Sequence, residues 1–361
     1  MENIKVTVYL STYNQEPYLR QALDSILMQK CDFRYELLIA DDCSTDGTQT
    51  IALEYQKKYP DVITTYFTPV NVGGCKKLTN CIDMGLFRGD YLAYLEGDDY
   101  WLGEDRLQTL VDFLDAHPEY SRVSHKRLVI NEKDEELGYD VSPAIVDRVF
   151  TIEDFLAGRS YSDFGSVFRN YFREVGSRYH SILLASRNVC DFQDMFITQD
   201  FGPVYVMDRC FGVYRSRSVA GETNYNSIMS TERKCIDKIR IARAVEDFYG
   251  GKYDLSARVL RELRILFRQA CDVSSEERLG TAREQTDPKT ADKLLTECLY
   301  LAHREKNHAK ADFVRAHLST KSRILAPFAL LRIGLERTSK KLRHIPYEDK
   351  RRGRINPEFG E

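Results

Sequence analysis

A single tryptophan, Trp101, serves the whole chain of 361 residues, and no stretch is long or apolar enough to span a bilayer. Net charge is nearly absent: 52 basic against 55 acidic side chains leaves −3, too little for a nucleic-acid footprint. The N-terminus lacks the basic start and apolar run of a signal peptide and carries a strand pattern instead. Cysteine occurs nine times, but without CxxC pairs or regular spacing. That excludes a disulfide framework, gives a structural zinc site no support, and reads as reduced thiols in a cytoplasmic protein. His303 and His308, five apart and off a common helical face, read as surface residues. The length suits two domains with ample core.

What is present concentrates at the ends of three apolar runs. Residues 4–10 run into Ser11-Thr12-Tyr13-Asn14, and residues 35–40 into Asp41-Asp42-Cys43-Ser44. Residues 90–95 run into Glu96-Gly97-Asp98-Asp99. Helical periodicity follows the first run over 17–29, where Leu19, Leu23, Ile26 and Leu27 share a face. It follows the second through Ile51, Leu53 and Tyr55, with Ser44 or Thr45 as cap. Strand–helix alternation predicts an α/β fold with a mostly parallel central sheet. Ligands of such sheets bind outside the carboxyl ends of the strands. Ser11, Tyr13, Asp41, Asp42, Glu96, Asp98 and Asp99 are therefore expected on one rim. Three carboxylates around a glycine suit a hard cation such as Mg²⁺ or Mn²⁺, which shares one or two carboxylates with substrate phosphates. A solvated acidic turn is the plainer alternative.

Further strands are expected at 62–67, at 120–130 (an edge, from its lysine and arginine content), at 164–168 and at 204–207. Further helices are expected at 76–86, 104–116, 151–157 and 191–201, with a charged loop or hairpin at 131–139. Residues 215–226 are polar and read as a mobile loop. Strand patterns vanish from about 230, where a helical region begins with breaks near Gly250-Gly251 and between Asp272 and Asp287. The basic, partly apolar stretch 323–343 fits either an anionic membrane surface or packing within its own domain or on a partner. The domains expected are thus 1–225 α/β, 226–345 helical and 346–361 a disordered tail.

The segments Val6-Thr7-Val8-Tyr9-Leu10-Ser11-Thr12-Tyr13-Asn14, Leu38-Ile39-Ala40-Asp41-Asp42-Cys43-Ser44-Thr45-Asp46-Gly47-Thr48, Asn71-Val72-Gly73, the acid cluster after Gly89-Asp90-Tyr91, and Cys190-Asp191-Phe192 form an ordered series. Together they resemble the inverting, nucleotide-sugar-dependent glycosyltransferases of family 2, which have the GT-A fold. The resemblance covers about the first 220 residues. It implies that Ser11 and Tyr13 line a nucleobase pocket and that Asp41 accepts a hydrogen bond from the base, as suits uracil. Asp98 takes the place of the metal-binding acid of the DxD motif, and Asp191 that of the general base, with Asp194 the competing candidate. Lys76 or Lys77 could approach a diphosphate, and Arg209, Arg215 and Arg217 lie where a loop could close over the donor. Three positions depart from the family pattern: Glu96 for an aspartate at the ribose or metal, Cys190 for an acid, and Arg217 for a histidine.

The expected activity is transfer of a sugar from a UDP-sugar, with Mn²⁺ or Mg²⁺, to a hydroxyl of a saccharide or lipid-linked acceptor in polysaccharide or glycoconjugate assembly. The expected place is the cytoplasm, with possible peripheral contact at the inner face of the membrane and possible oligomerisation through the helical region. The rivals are a nucleotidyltransferase, whose glycine-rich basic signature is missing from residues 11–18, and a non-catalytic sugar-nucleotide-binding or scaffold protein. Trp101 reads as packing beneath the acid loop or, less simply, as a sugar platform.

Overall fold

The computed structural model describes residues 3–131, 133–161, 165–188, 191–216, 229–323, 325–326 and 333. Cys190, Arg217, most of the 215–226 loop, nearly all of the basic stretch 323–343 and the tail 346–361 lie outside the described residues. The chain divides into two compact units, Met1–Met229 and Ser230–Glu361.

In the first unit, β1 (Val6–Thr12), β2 (Tyr35–Asp41), β3 (Ile63–Phe67) and β4 (Tyr91–Glu96) alternate with α1 (Leu19–Leu27), α2 (Thr48–Lys58) and α3 (Gly74–Asp83). The four strands pair in parallel in the order β3-β2-β1-β4. Alternation within β1 buries both faces. Val6, Val8 and Leu10 pack with Leu19, Leu23 and Ile26 of α1, joined by Leu107, Leu110 and Leu114 of α4 (Arg106–Ala116). On the opposite face Tyr9 makes edge contacts with Phe87 and Tyr94. Such double coverage is the condition under which a parallel sheet is stable.

The sheet continues with β5 (Tyr100–Trp101), β6 (Arg122–Ile130), β7 (Glu136–Tyr139), β8 (Arg148–Phe150), β9 (Val167–Arg169) and β10 (Val204–Arg215) in the order β4-β9-β6-β10-β5. β7 adds to β6, so the loop or hairpin expected at 131–139 supplies a hairpin strand at 136–139, and β8 adds to β10. The edge expected at 120–130 is wrong: β6 lies inside the sheet between β9 and β10. Its basic residues are internal partners, not edge protection. Arg122 is wholly buried and pairs with Asp194.

Three short helices, α5 (Ile152–Leu156), α6 (Phe172–Val175) and α7 (His180–Leu183), precede α8 (Asp191–Gln199). α5 is closed by a capping box between Thr151 and Asp154. α2 starts later than expected, at Thr48, because Ser44 and Thr45 are engaged elsewhere (below).

The second unit is helical, with helices at Thr231–Phe248, Ser256–Asp272, Glu276–Glu284, Pro288–Arg304 and His308–His317. Ser230, Ser275, Asp287 and Asn307 cap four of them through side-chain oxygens, and Pro288 occupies a first turn. Gly250 and Gly251 make the expected break with left-handed backbone. The break expected between Asp272 and Asp287 holds a helix instead, one that buries only Leu279 and Ala282. So small an apolar face left no period to read. Among the described residues no helix is long and apolar enough to cross a membrane.

Candidate active site

Register places the rim. Thr12 stands opposite Asp41 on one side of β1, and Ser11 opposite Glu96 on the other. With strands about 4.8 Å apart, Asp41 and Glu96 are separated by roughly 10 Å across the rim. The loops after β1 and β2 are zipped together. Asn14 N–H donates to Ser44 Oγ, and Thr45 N–H returns a bond to Asn14 Oδ1, both at 2.8 Å. Gln15 N–H donates to Thr48 Oγ1 at 2.8 Å, Glu16 N–H to Asp46 Oδ2 at 3.1 Å, and Gly47 N–H to Glu16 Oε2 at 2.8 Å.

Asp41 is fully buried. Its carboxylate accepts from Thr12 Oγ1 at 2.8 Å, Ser44 N–H at 2.8 Å, Gln49 Nε2 at 2.7 Å and the Ser44 hydroxyl. All its acceptor capacity is in use, so an incoming donor has to displace one of these partners. Asp42 faces the other way. It accepts from Thr68 Oγ1 at 2.9 Å and from the backbone N–H groups of Val72 at 2.8 Å and Gly73 at 2.7 Å. Lys77 is not on the surface. Its Nζ donates to the Thr12 carbonyl at 2.9 Å, and burial lowers its pKa, an effect that Asp42 and Asp41 oppose. Lys76 is exposed.

The acid cluster sits where β4 ends. Asp98 is buried and accepts from Gln15 Nε2 at 3.0 Å. Gly97 makes that contact possible, since a Cβ there would lie 2.4 Å from Gln15 Oε1. Asp99 accepts from Arg127 Nη1 and from Arg215 N–H, both at 2.9 Å. It is not a solvated acid: burial, partly offset by Arg127, pushes its carboxyl up to about 7. Glu96 is raised well above its ordinary range, first by burial and then by the charges of Asp98 and Asp99. Asp191 adds to the same effect, so the first turn of α8 lies within electrostatic reach of Glu96. Arg127, anchored to Asp140 at 2.8 Å, is the cation common to Asp99, Glu96 and Asp191. The Tyr214 ring lies 4.8 Å from that guanidinium.

Asp191 opens α8 at the surface. Burial by the protein around its carboxyl raises the pKa all the same, against the backbone hydrogen bonds of its own first turn. Asp194, one turn on, points inward. It pairs with Arg122, accepts from Tyr171 OH at 2.9 Å, and is 4% exposed. Of the two candidates only Asp191 is open to a substrate hydroxyl. Trp101 is buried packing, with the Arg106 guanidinium 3.9 Å from its ring. Arg215 is turned inward onto Asp134 and Gln21, whereas Arg209 lies against Phe211 at the surface. Among the described residues no three acidic, histidine or cysteine side chains converge as a closed metal cage. Gln15, Asp42 and Arg127 were not singled out for these roles. Asp42 had a signal in its pairing with Asp41, but nothing in the sequence connects Arg127 to Asp99.

Sequence comparison finds the glycosyl transferase family 2 profile at residues 7–175. The chain is 41% identical over 121 residues to the uncharacterized protein Rv1520 of Mycobacterium tuberculosis, covering 34% of each. It is 37% identical over 128 residues to the putative glycosyltransferase EpsE of Bacillus subtilis, covering 36% of this chain and 45% of EpsE. It thus spans less than half the length of these relatives. Among solved structures, residues 1–349 of Staphylococcus aureus TarS in complex with UDP-GlcNAc superpose with a TM-score of 0.50 at 18% identity, covering 90% of this chain and 87% of that TarS segment. That match is one of fold, the GT-A fold with its sheet flanked by helices. Over residues 7–175, just under half of its length, this chain matches the glycosyl transferase family 2 model.

Proposed function

We propose that the chain is an inverting glycosyltransferase that moves a sugar from a UDP-sugar to a hydroxyl of a saccharide or lipid-linked acceptor, with residues 1–225 as its catalytic domain. One observation carries this reading: the ends of β1, β2 and β4 and the first turn of α8 share a single rim, with Asp41 and Asp191 as its opposite functions. Ser11 and Tyr13 bound the nucleobase pocket, and Asp41 reads the base edge after giving up Ser44 or Gln49. The UDP-GlcNAc bound by TarS favours a uridine donor.

The donor set fits a hard divalent cation. Its ligands are carboxylate oxygens, and the upward push of Asp98 and Asp99 on the Glu96 carboxyl marks negative charge that a cation would relieve. Asp98, with Glu96 beside it, would hold Mn²⁺ or Mg²⁺. When bound, the ion neutralises the charge on the departing diphosphate. Asp191 takes the acceptor proton as the acceptor oxygen attacks the anomeric carbon from the face opposite the nucleotide, which inverts the configuration. Its raised pKa makes it a stronger base than an ordinary aspartate.

A turnover panel of nucleotide sugars with Mn²⁺ tests the reading, with Asp98→Ala and Asp191→Asn as controls. Release of UDP, metal-dependent and lost in both variants, is the expected outcome. Pyrophosphate release would indicate a nucleotidyltransferase, and turnover by Asp98→Ala equal to wild type would refute the site.

A further inference from the structure

Asp42 and Arg187 clamp the turn Asn71-Val72-Gly73 from opposite sides. Asp42 holds the turn through the N–H groups of Val72 and Gly73 at 2.8 and 2.7 Å, and it stands directly beside Asp41. On the far side Arg187 Nη2 donates to the Asn71 carbonyl at 2.8 Å and to its side-chain oxygen. Cys75 N–H, in the first turn of α3, donates back to the Arg187 carbonyl at 3.0 Å. Gly73 permits this approach. Its φ is +92°, and a Cβ there would sit 2.3 Å from Arg187 Cγ and 2.6 Å from the Arg187 carbonyl oxygen. Asn188 follows, its Oδ1 lying 3.1 Å from the same point.

Arg187 precedes Asp191 by four residues. A chain of contacts therefore runs from the end of β2 through Asp42 and the turn to Arg187. Each bond is modest alone, worth about 1 kcal/mol. Together they anchor Arg187, four residues ahead of Asp191. We propose that Asp42 and Arg187 are positioning residues that set the base-bearing turn of α8 against the donor end of the sheet, a role that rests on Asp191 being the base. Neither touches the reacting atoms. Proton transfer depends steeply on placement, and a displacement of about 1 Å costs on the order of 100-fold in rate.

The test uses the full chain with Arg187→Ala, Arg187→Lys and Asp42→Asn. Arg187→Ala lowers kcat for transfer roughly 10- to 100-fold, while the KM for the sugar nucleotide stays within about twofold. Arg187→Lys, which keeps one donor for the Asn71 carbonyl, recovers part of the loss. A wild-type kcat in Arg187→Ala, or a rise in donor KM that accounts for the whole loss, overturns the proposal. Amide hydrogen exchange over residues 191–199 gives a readout independent of the reaction. Exchange faster in Arg187→Ala and in Asp42→Asn than in wild type supports the clamp, and unchanged exchange in both overturns it. A chain that turned over no nucleotide sugar would defeat the glycosyltransferase reading, while exchange would still decide the clamp.

Discussion

Replacing Asp194 by asparagine tests both the packing under α8 and the assignment of the base. Arg122 is 0% exposed and Asp194 4%, so neither charge has bulk water to fall back on. The guanidinium also lies 4.1 Å from the Phe168 ring, and Tyr171 OH donates to the same carboxylate at 2.9 Å. Asp194→Asn leaves the cation buried without its counter-charge, a loss of about 3–5 kcal/mol. For a unit of this size each kcal/mol moves the midpoint by about 2–4 °C, so Tm falls by ~6–20 °C. Trp101 is the sole tryptophan and is buried in the first unit, so its fluorescence follows that unit selectively. Arg122→Met combined with Asp194→Leu restores much of the stability, because the pair leaves together. Assayed well below its Tm, Asp194→Asn keeps transfer within about tenfold, whereas Asp191→Asn loses about 10²- to 10⁴-fold. An Asp194→Asn protein as stable as wild type but as inactive as Asp191→Asn would refute the argument and make Asp194 the base.

Three further outcomes follow from the site. Asp99, raised to about 7 from an ordinary 3.8, holds a proton in the native state that the unfolded chain gives up. Native stability therefore declines as pH rises between those values, and Mn²⁺, which favours the ionised cluster, raises Tm more at pH 8 than at pH 5; a pH-independent Mn²⁺ shift would contradict this. Arg127→Gln removes the cation that holds Asp99 and Glu96 down, so the pH at which Mn²⁺ stabilisation is half-developed moves up by about 1–3 units; an unchanged midpoint in the same thermal titration would show that Arg127 does not govern the cluster. Gly73→Ala meets backbone and side-chain atoms of Arg187 at 2.3–2.6 Å and loses about 1–3 kcal/mol in denaturant unfolding, and a neutral result would mean that the turn is free to shift.

The rim was legible because it follows from local rules. Apolar runs at Val6, Val8 and Leu10 and at Leu37 and Ile39 specify buried parallel strands, and polar residues just beyond them must lie at the carboxyl edge. What escaped was non-local. β6 read as an edge because Arg122, Lys126 and Arg127 are basic, yet Arg122 and Arg127 have carboxylate partners 72 and 28 positions away. Sequence spacing carries no record of such pairings. Lys77 read as a diphosphate ligand or surface residue because lysine is usually solvated, whereas α3 turns it inward onto the Thr12 carbonyl. Ser44 looked like a helix cap, but Asp41 competes for its N–H and its hydroxyl and wins.

The zipper between the loops after β1 and β2 has an evolutionary consequence. Its five bonds tie residues 14–16 to residues 44–48, so inserting one amino acid within either stretch breaks part of the set. Relatives of this chain are therefore expected to keep both loops at constant length, whatever changes elsewhere along the sheet.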